Sequence, residues 1–201
     1  MVLMLAQPAS AASLTSSVED PEGDAIWYVH KNQPTPGYLD IVGATITLED
    51  GTFTLTMDMA ADIPDEPALV KAAHVYWWEW AFDTGLGFWP IFPFGYTWEE
   101  CAVIIAWDGK EWSADLYDWT SVQAWNDPVL KHSLQINGLG SNQLMVQVDS
   151  ELMGEPEEFL WAAGTLGWMS PGAADTPSWA WWHFDAAGMD DVTGEWTPWP
   201  E

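Results

Sequence analysis

One stretch limits the folds open to this chain more than any other. Residues 75–83 read VYWWEWAFD and run straight into the turn signal Thr84-Gly85. The even positions Tyr76, Trp78, Trp80 and Phe82 are all aromatic, while Trp77, Glu79 and Asp83 fall on the odd side. A period of two explains that pattern better than 3.6, so the stretch predicts a central β-strand. Four large rings on one face of a strand are not left in water, and a second layer has to cover them.

The other strands supply that layer. Residues 39–48 and 52–60 flank the turn Glu49-Asp50-Gly51 and predict a hairpin. Its return arm alternates Phe53, Leu55, Met57 and Met59 with Thr52, Thr54, Thr56 and Asp58, one face buried and one wet. Asp108-Gly109 between residues 101–107 and 111–119 signals a second hairpin. Residues 132–137 and 143–149 predict a third, and 159–165 and 178–185 two further strands. Residues 26–30 read as a short edge strand, 68–73 as one helical turn, and 167–176 as a Gly/Pro loop. The expectation is an all-β protein, an antiparallel β-sandwich of jelly-roll type with about nine to eleven strands and little helix.

At 201 residues and 48 % hydrophobic content the chain suffices for one domain, placed at 20–191, with a tail at 192–201. Residues 1–12, MVLMLAQPASAA, have the apolar run and small-x-small site of the back half of a secretory signal, without its basic start. Residues 13–19 then read as a flexible lead-in, and a secreted or cell-surface location is expected. No later apolar run approaches the ~18 residues of a membrane span. The single Cys101, within CAVIIAW, suits a buried thiol.

Charge narrows the partners. Thirty-one acidic residues against four lysines give a net charge of −27, a field that repels phosphate backbones and anionic membranes and so excludes nucleic acid. It favours cations, neutral ligands or a basic partner. Proteins of high-salt habitats share such acidity.

Several segments together resemble a recurring extracellular pattern: DPEGD at 20–24, GYLDIVGATITLEDGTFTLTMDMAADIP at 37–64, FDTG at 82–85 and FLWAAGT at 159–165. They are similar to the DOMON-like superfamily, which includes the family-9 carbohydrate-binding modules, over most of residues 20–190. The resemblance implies two antiparallel sheets in a jelly roll, with relatives that bind sugars, structural calcium or, in one branch, haem. It departs from the pattern near the C-terminal end, where a loop at 166–178 intervenes before Asp185, Asp190 and Asp191.

Among constellations that carry chemistry, Asp20, Glu22 and Asp24 crowd hard oxygen ligands onto a Gly-containing turn, as calcium prefers. Asp40 completes the set if the turn packs beside residues 39–48, with Asp185 a further contributor. The plain alternative is a solvated acidic turn. Trp89, Phe92, Phe94, Trp98 and Trp168, all assigned to loops, are candidates for stacking on sugar faces, with Glu79, Asp83 or Asn126 taking hydroxyls. The same rings equally suit a plug over the sandwich end or a contact with like subunits.

Histidines 30, 74, 132 and 183 form no metal-ligand pair. His183 with Met57 or Met59 is the pair a haem branch would use, but a hydrogen-bonded core histidine suits it better. No Gly-x-Ser-x-Gly is present, and a glycosidase-like carboxylate pair is uninformative among thirty-one acidic residues. The sequence thus reads as a secreted, non-catalytic, calcium-binding sandwich whose aromatic loops take a polysaccharide or another extracellular ligand. The alternative is a structural subunit of a calcium-dependent filament, sheath or surface layer.

Overall fold

A computed structural model describes residues 13–25, 35–69, 73–84, 101–118, 129–169, 180–188 and 197–199. Within them lie β1 (Leu14–Glu19), β2 (Ile41–Glu49), β3 (Thr52–Met59), β4 (Ala73–Asp83), β5 (Cys101–Trp107) and β6 (Trp112–Asp118). Then follow β7 (Val129–Ser133), β8 (Gln143–Asp149), β9 (Phe159–Met169), β10 (Ala180–Ala187) and β11 (Thr197–Trp199). Two short 3-10 turns, Gly37–Leu39 and Ser150–Met153, are the only helical elements among the described residues.

All pairings are antiparallel and form two sheets, as the alternating patterns required. The smaller has the order β1-β2-β3-β8; the larger runs β10-β9-β4-β5-β6-β7, with β11 on β9. β4 is central to the larger sheet, between β5 and β9. Its Tyr76, Trp78, Trp80 and Phe82 are fully buried and share the inner face with Val103 and Ile105 of β5 and Trp161 and Ala163 of β9. Ile46, Phe53, Leu55, Met57, Leu144 and Val146 of the smaller sheet belong to the same core.

Indole N–H groups tie the layers as well as fill them. Trp78 Nε1 donates to the Tyr38 carbonyl at 2.9 Å, Trp107 Nε1 to Pro67 at 2.8 Å and Trp112 Nε1 to Asp65 at 2.8 Å. Trp161 Nε1 donates to Ser16 Oγ at 3.1 Å. The acceptors lie on β1 or on the segments flanking β2 and β3, so each ring that supplies apolar area also bonds the other sheet's side of the molecule. Cys101 is buried, as expected. The outer face of the larger sheet is also sealed around Ala102, Ile104, Ala162 and Leu166, which explains why β5 is apolar on both faces.

Five expectations need correction. Residues 14–19 are not a flexible lead-in but edge strand β1, paired from Leu14↔Leu48 to Glu19↔Gly43. An edge strand with one wet face carries few apolar residues, so its composition resembles a linker. The tail at 192–201 contains β11, whose Trp199 is buried against β9. Residues 132–137 and 143–149 do not form a hairpin: β7 pairs with β6, whereas β8 pairs with β3 in the other sheet. Only the bridge Asn137↔Met145 joins the two segments. Gly138 turns the chain there at φ +95°, and a Cβ on it would collide with the Gln143 carbonyl. The strand expected at 159–165 continues to Met169, through glycines that lower its strand propensity. Finally, Ala73 opens β4, and neither Ala68 nor Leu69 is helical. Residues 1–12, the edge strand expected at 26–30 and the loop aromatics Trp89, Phe92, Phe94 and Trp98 lie outside the described residues.

Trp78 and Trp80 differ in one respect. Both rings are fully buried, but the Trp80 N–H has no hydrogen-bond partner. Trp78→Phe removes a made bond and strands the Tyr38 carbonyl, whereas Trp80→Phe removes an unsatisfied donor. Trp80→Phe should therefore be less destabilising by about 1–2 kcal/mol, measured as the difference in urea-unfolding free energy between the two variants.

Candidate metal centre

Two bulges bring four carboxylates to one end of the sandwich. The register of β10 on β9 shifts between His183 and Asp185. Before the shift Trp182 lies opposite Gly167, an inner-face position; after it, Asp185 lies opposite Thr165, also inner. One extra residue thus reverses the parity of the strand and turns Asp185 toward the smaller sheet. There its Oδ2 accepts the Ile41 N–H at 2.6 Å, and its Oδ1 accepts the Ala186 N–H at 2.9 Å. Ile41 itself begins the second bulge, between Ile41 and Gly43 on β2.

The acidic turn arrives from the end of β1. Gly23 adopts φ +88°, which a side chain would strain, and its N–H donates to Asp40 Oδ2 at 2.8 Å. Asp20, Asp24 and Asp185 each present a carboxylate oxygen, all within 4.8 Å of one another. Calcium holds oxygens at about 2.3–2.6 Å, so ligands on opposite sides of one ion lie about 5 Å apart. The three oxygens therefore fit around a single cation.

The local electrostatics point the same way. Burial, reinforced by the negative Asp20 and Asp24, pushes the Asp185 carboxyl up to about 8 against the pull of the Ile41 and Ala186 amides. Asp40, 6 % exposed, is also raised by burial, opposed by the Gly23 and Ala25 amides and reinforced by Asp24 and Glu22. Its Oδ1 is buried with no hydrogen-bond partner, an arrangement that costs free energy unless a cation or proton meets it. The group contains neither histidine nor cysteine, which favours a hard, oxygen-seeking ion over zinc or copper.

Of the five expected metal ligands, Asp20, Asp24 and Asp185 converge, and Asp40 is bonded to the same turn. Glu22 is exposed and acts on Asp40 through its charge. The expected ligand-binding residues scatter. Glu79 is 8 % exposed, on the outer face of β4 between Gly164 and Ile104, and engages a partner. Asp83 lines a cavity at the far end of the sheet. Trp168, assigned to a loop, belongs to β9 and lies opposite Val75 and Trp181. Trp89, Phe92, Phe94, Trp98 and Asn126 lie outside the described residues. In the haem pairing, Met57 and Met59 are buried core residues of β3, and His183 is in β10 opposite Leu166. Sequence reasoning missed the Ile41 amide, which no side-chain pattern announces, and Glu158 with Trp199, which line the same cavity as Asp83.

Compared with protein-family models and with curated proteins, the chain matches none.

A pH effect follows from Asp185. Without a cation the folded chain keeps this proton to about pH 8, whereas an unfolded aspartate releases it near about 3.9. Between those values the unfolded state binds fewer protons, so stability falls as pH rises and levels off above pH 8. Chelator-treated protein should melt at a lower temperature at pH 8 than at pH 5, and Asp185→Asn, which keeps an acceptor for the Ile41 amide, should remove much of the drop. Equal slopes for parent and variant in thermal melts would contradict this account.

Proposed function

We propose that this chain is an exported, non-catalytic β-sandwich in which calcium joins the two sheets and whose surface takes an extracellular ligand. One observation carries the metal part: three converging carboxylates beside the buried, unpartnered Asp40 oxygen. Asp20 and Asp24 follow β1 of the smaller sheet and Asp185 belongs to β10 of the larger one, so a shared ion would cross-link the layers. Its charge would also offset the repulsion concentrated there in a protein of net charge −27. The excess of tryptophan, seventeen in all, supports an aromatic ligand surface for a polysaccharide, with Trp89 its first test.

Calcium at 100 times its dissociation constant should stabilise the chain by about 2.7 kcal/mol, a rise in melting temperature of about 5–10 °C for this length. Sodium chloride at matched ionic strength should give a small fraction of that. Asp24→Ala, at an exposed position, should fold and lose most of the calcium response. A variant that binds calcium as well as the parent in calorimetry overturns the assignment. Retention on insoluble cellulose, chitin or xylan, lost on Trp89→Ala, tests the ligand part.

A second reading, a subunit of a calcium-dependent extracellular assembly, rests on the edge strand β7. All five of its residues are exposed, with Val129 at 55 % and Leu130 at 54 %. An edge with two exposed apolar residues that no further strand pairs with among the described residues is a template for strand addition by a like subunit, although Lys131, bonded to Asp118 at 2.9 Å, partly guards it. Under this reading, size-exclusion chromatography shows calcium-dependent polymers that Leu130→Lys abolishes; a monomer with and without calcium discards it.

A further inference from the structure

At the other end of the sandwich a cavity of about 550 Å³ opens where β4 ends and β9 begins. It is lined by Asp83 at the end of β4 and Thr84 just after it, Glu158 just before β9, Phe159 and Leu160 at its start, and Pro198 and Trp199 of β11. That volume lies within the range of small-molecule sites, about 300–1,000 Å³. Two independent features of the lining restrict its occupant.

The first is the state of the rings. Trp199, 2 % exposed, stacks on Phe159 at 5.5 Å and 16°, and Phe53 meets both edge-on at 5.9 and 5.8 Å. Phe82 packs edge-on against Phe159 at 5.6 Å. With their faces committed to one another, these rings offer the cavity an apolar floor and no open platform for a sugar ring. The second is charge: among the described residues of the lining, the ionisable groups are two carboxylates, Asp83 and Glu158. These disfavour an anion. A bare metal ion would gain nothing from the four apolar residues Phe159, Leu160, Pro198 and Trp199. What satisfies both features is a compact cation on an apolar stem.

We infer that the cavity bounded by Asp83, Glu158, Leu160, Pro198 and the Phe159–Trp199 stack binds an alkylammonium group, its charge between the carboxylates and its methylenes along the apolar floor. Such a group comes from a free amine or from a lysyl side chain. The site is separate from the carboxylate cluster. Asp40 and Ile41 lie at the start of β2, and Phe53, opposite Leu48 near its far end, packs on the cavity floor; at about 3.3 Å per residue the two sites are about 23 Å apart.

The test titrates the full chain, in calcium and again in chelator, with n-hexylammonium, Nα-acetyl-lysine N-methylamide and neutral 1-hexanol to about 10 mM by calorimetry and ligand-observed NMR. Either ammonium probe should bind in both conditions, and hexanol should bind more weakly. Tighter binding of hexylammonium identifies a free amine as the natural class, and tighter binding of the lysine amide a side chain. Glu158→Gln, at an exposed position, should weaken the ammonium probes about fivefold. Glu111→Gln, an exposed change in the β5–β6 turn, should leave them unaltered. Equal losses in the two variants would mean a general attraction to the acidic chain, and would overturn the inference. So would equal affinity for hexanol, or no binding of either amine.

Discussion

The fold depends on where the indoles point. In most sandwiches the two layers meet through non-directional apolar contact, which sets a separation and leaves lateral position loosely specified. Here Trp78, Trp107, Trp112 and Trp161 add a directed bond to that contact, each N–H reaching Ser16 or a backbone carbonyl beside β2 or β3. A lateral slip of one layer would strand the buried donors of Trp107 and Trp161 in an apolar interior, at about 1–3 kcal/mol each. The bonds therefore fix the alignment of the sheets, and both ends of the molecule inherit it. Thr165 adds a fifth tie, its hydroxyl donating to the Leu39 carbonyl at 2.7 Å beside the carboxylate cluster.

At that cluster the same alignment works against the chain's own charge. Packing Asp185 against the first residue of β2 withdraws a carboxylate from water and sets it beside two others. Ordinary surface aspartates escape mutual repulsion by moving apart in high dielectric. Asp185 and Asp40 have no such freedom, since a strand or a tight turn holds each and backbone amides claim one or more of their oxygens. Rigid, partly dehydrated carboxylates must take up a proton or a cation, which is why their acid strength is reduced.

How much of this the amino-acid sequence disclosed depended on the kind of constraint. β3 and β4 were legible because each has one wholly apolar face, and alternation reports that directly. β1 was not, because Leu14, Thr15, Ser16 and Ser17 look like a linker until the buried Ser16 hydroxyl is seen accepting an indole. The segments either side of Gly138 looked like a hairpin because local turn chemistry is identical whether a chain returns to its own sheet or crosses to the other. The acidic group was legible as chemistry, through Asp20, Glu22 and Asp24 in one turn, yet the contribution of Asp185 rested on a bulge that leaves no compositional mark. The far cavity is assembled from three strand ends remote in sequence, and no window of residues contains it.

That bulge has an evolutionary corollary. The inward aim of Asp185 depends on the bulge that absorbs the residue between it and His183. Deleting that residue's codon would leave the carboxylate opposite Thr165 and still inward, whereas straightening the bulge with the residue retained would swing it outward with every acidic residue intact. A lineage of such proteins could lose the carboxylate convergence by losing the bulge alone, and a comparison that tracked only acidic side chains would miss the event. The irregularity of that strand, more than residue identity, is the heritable trait to follow.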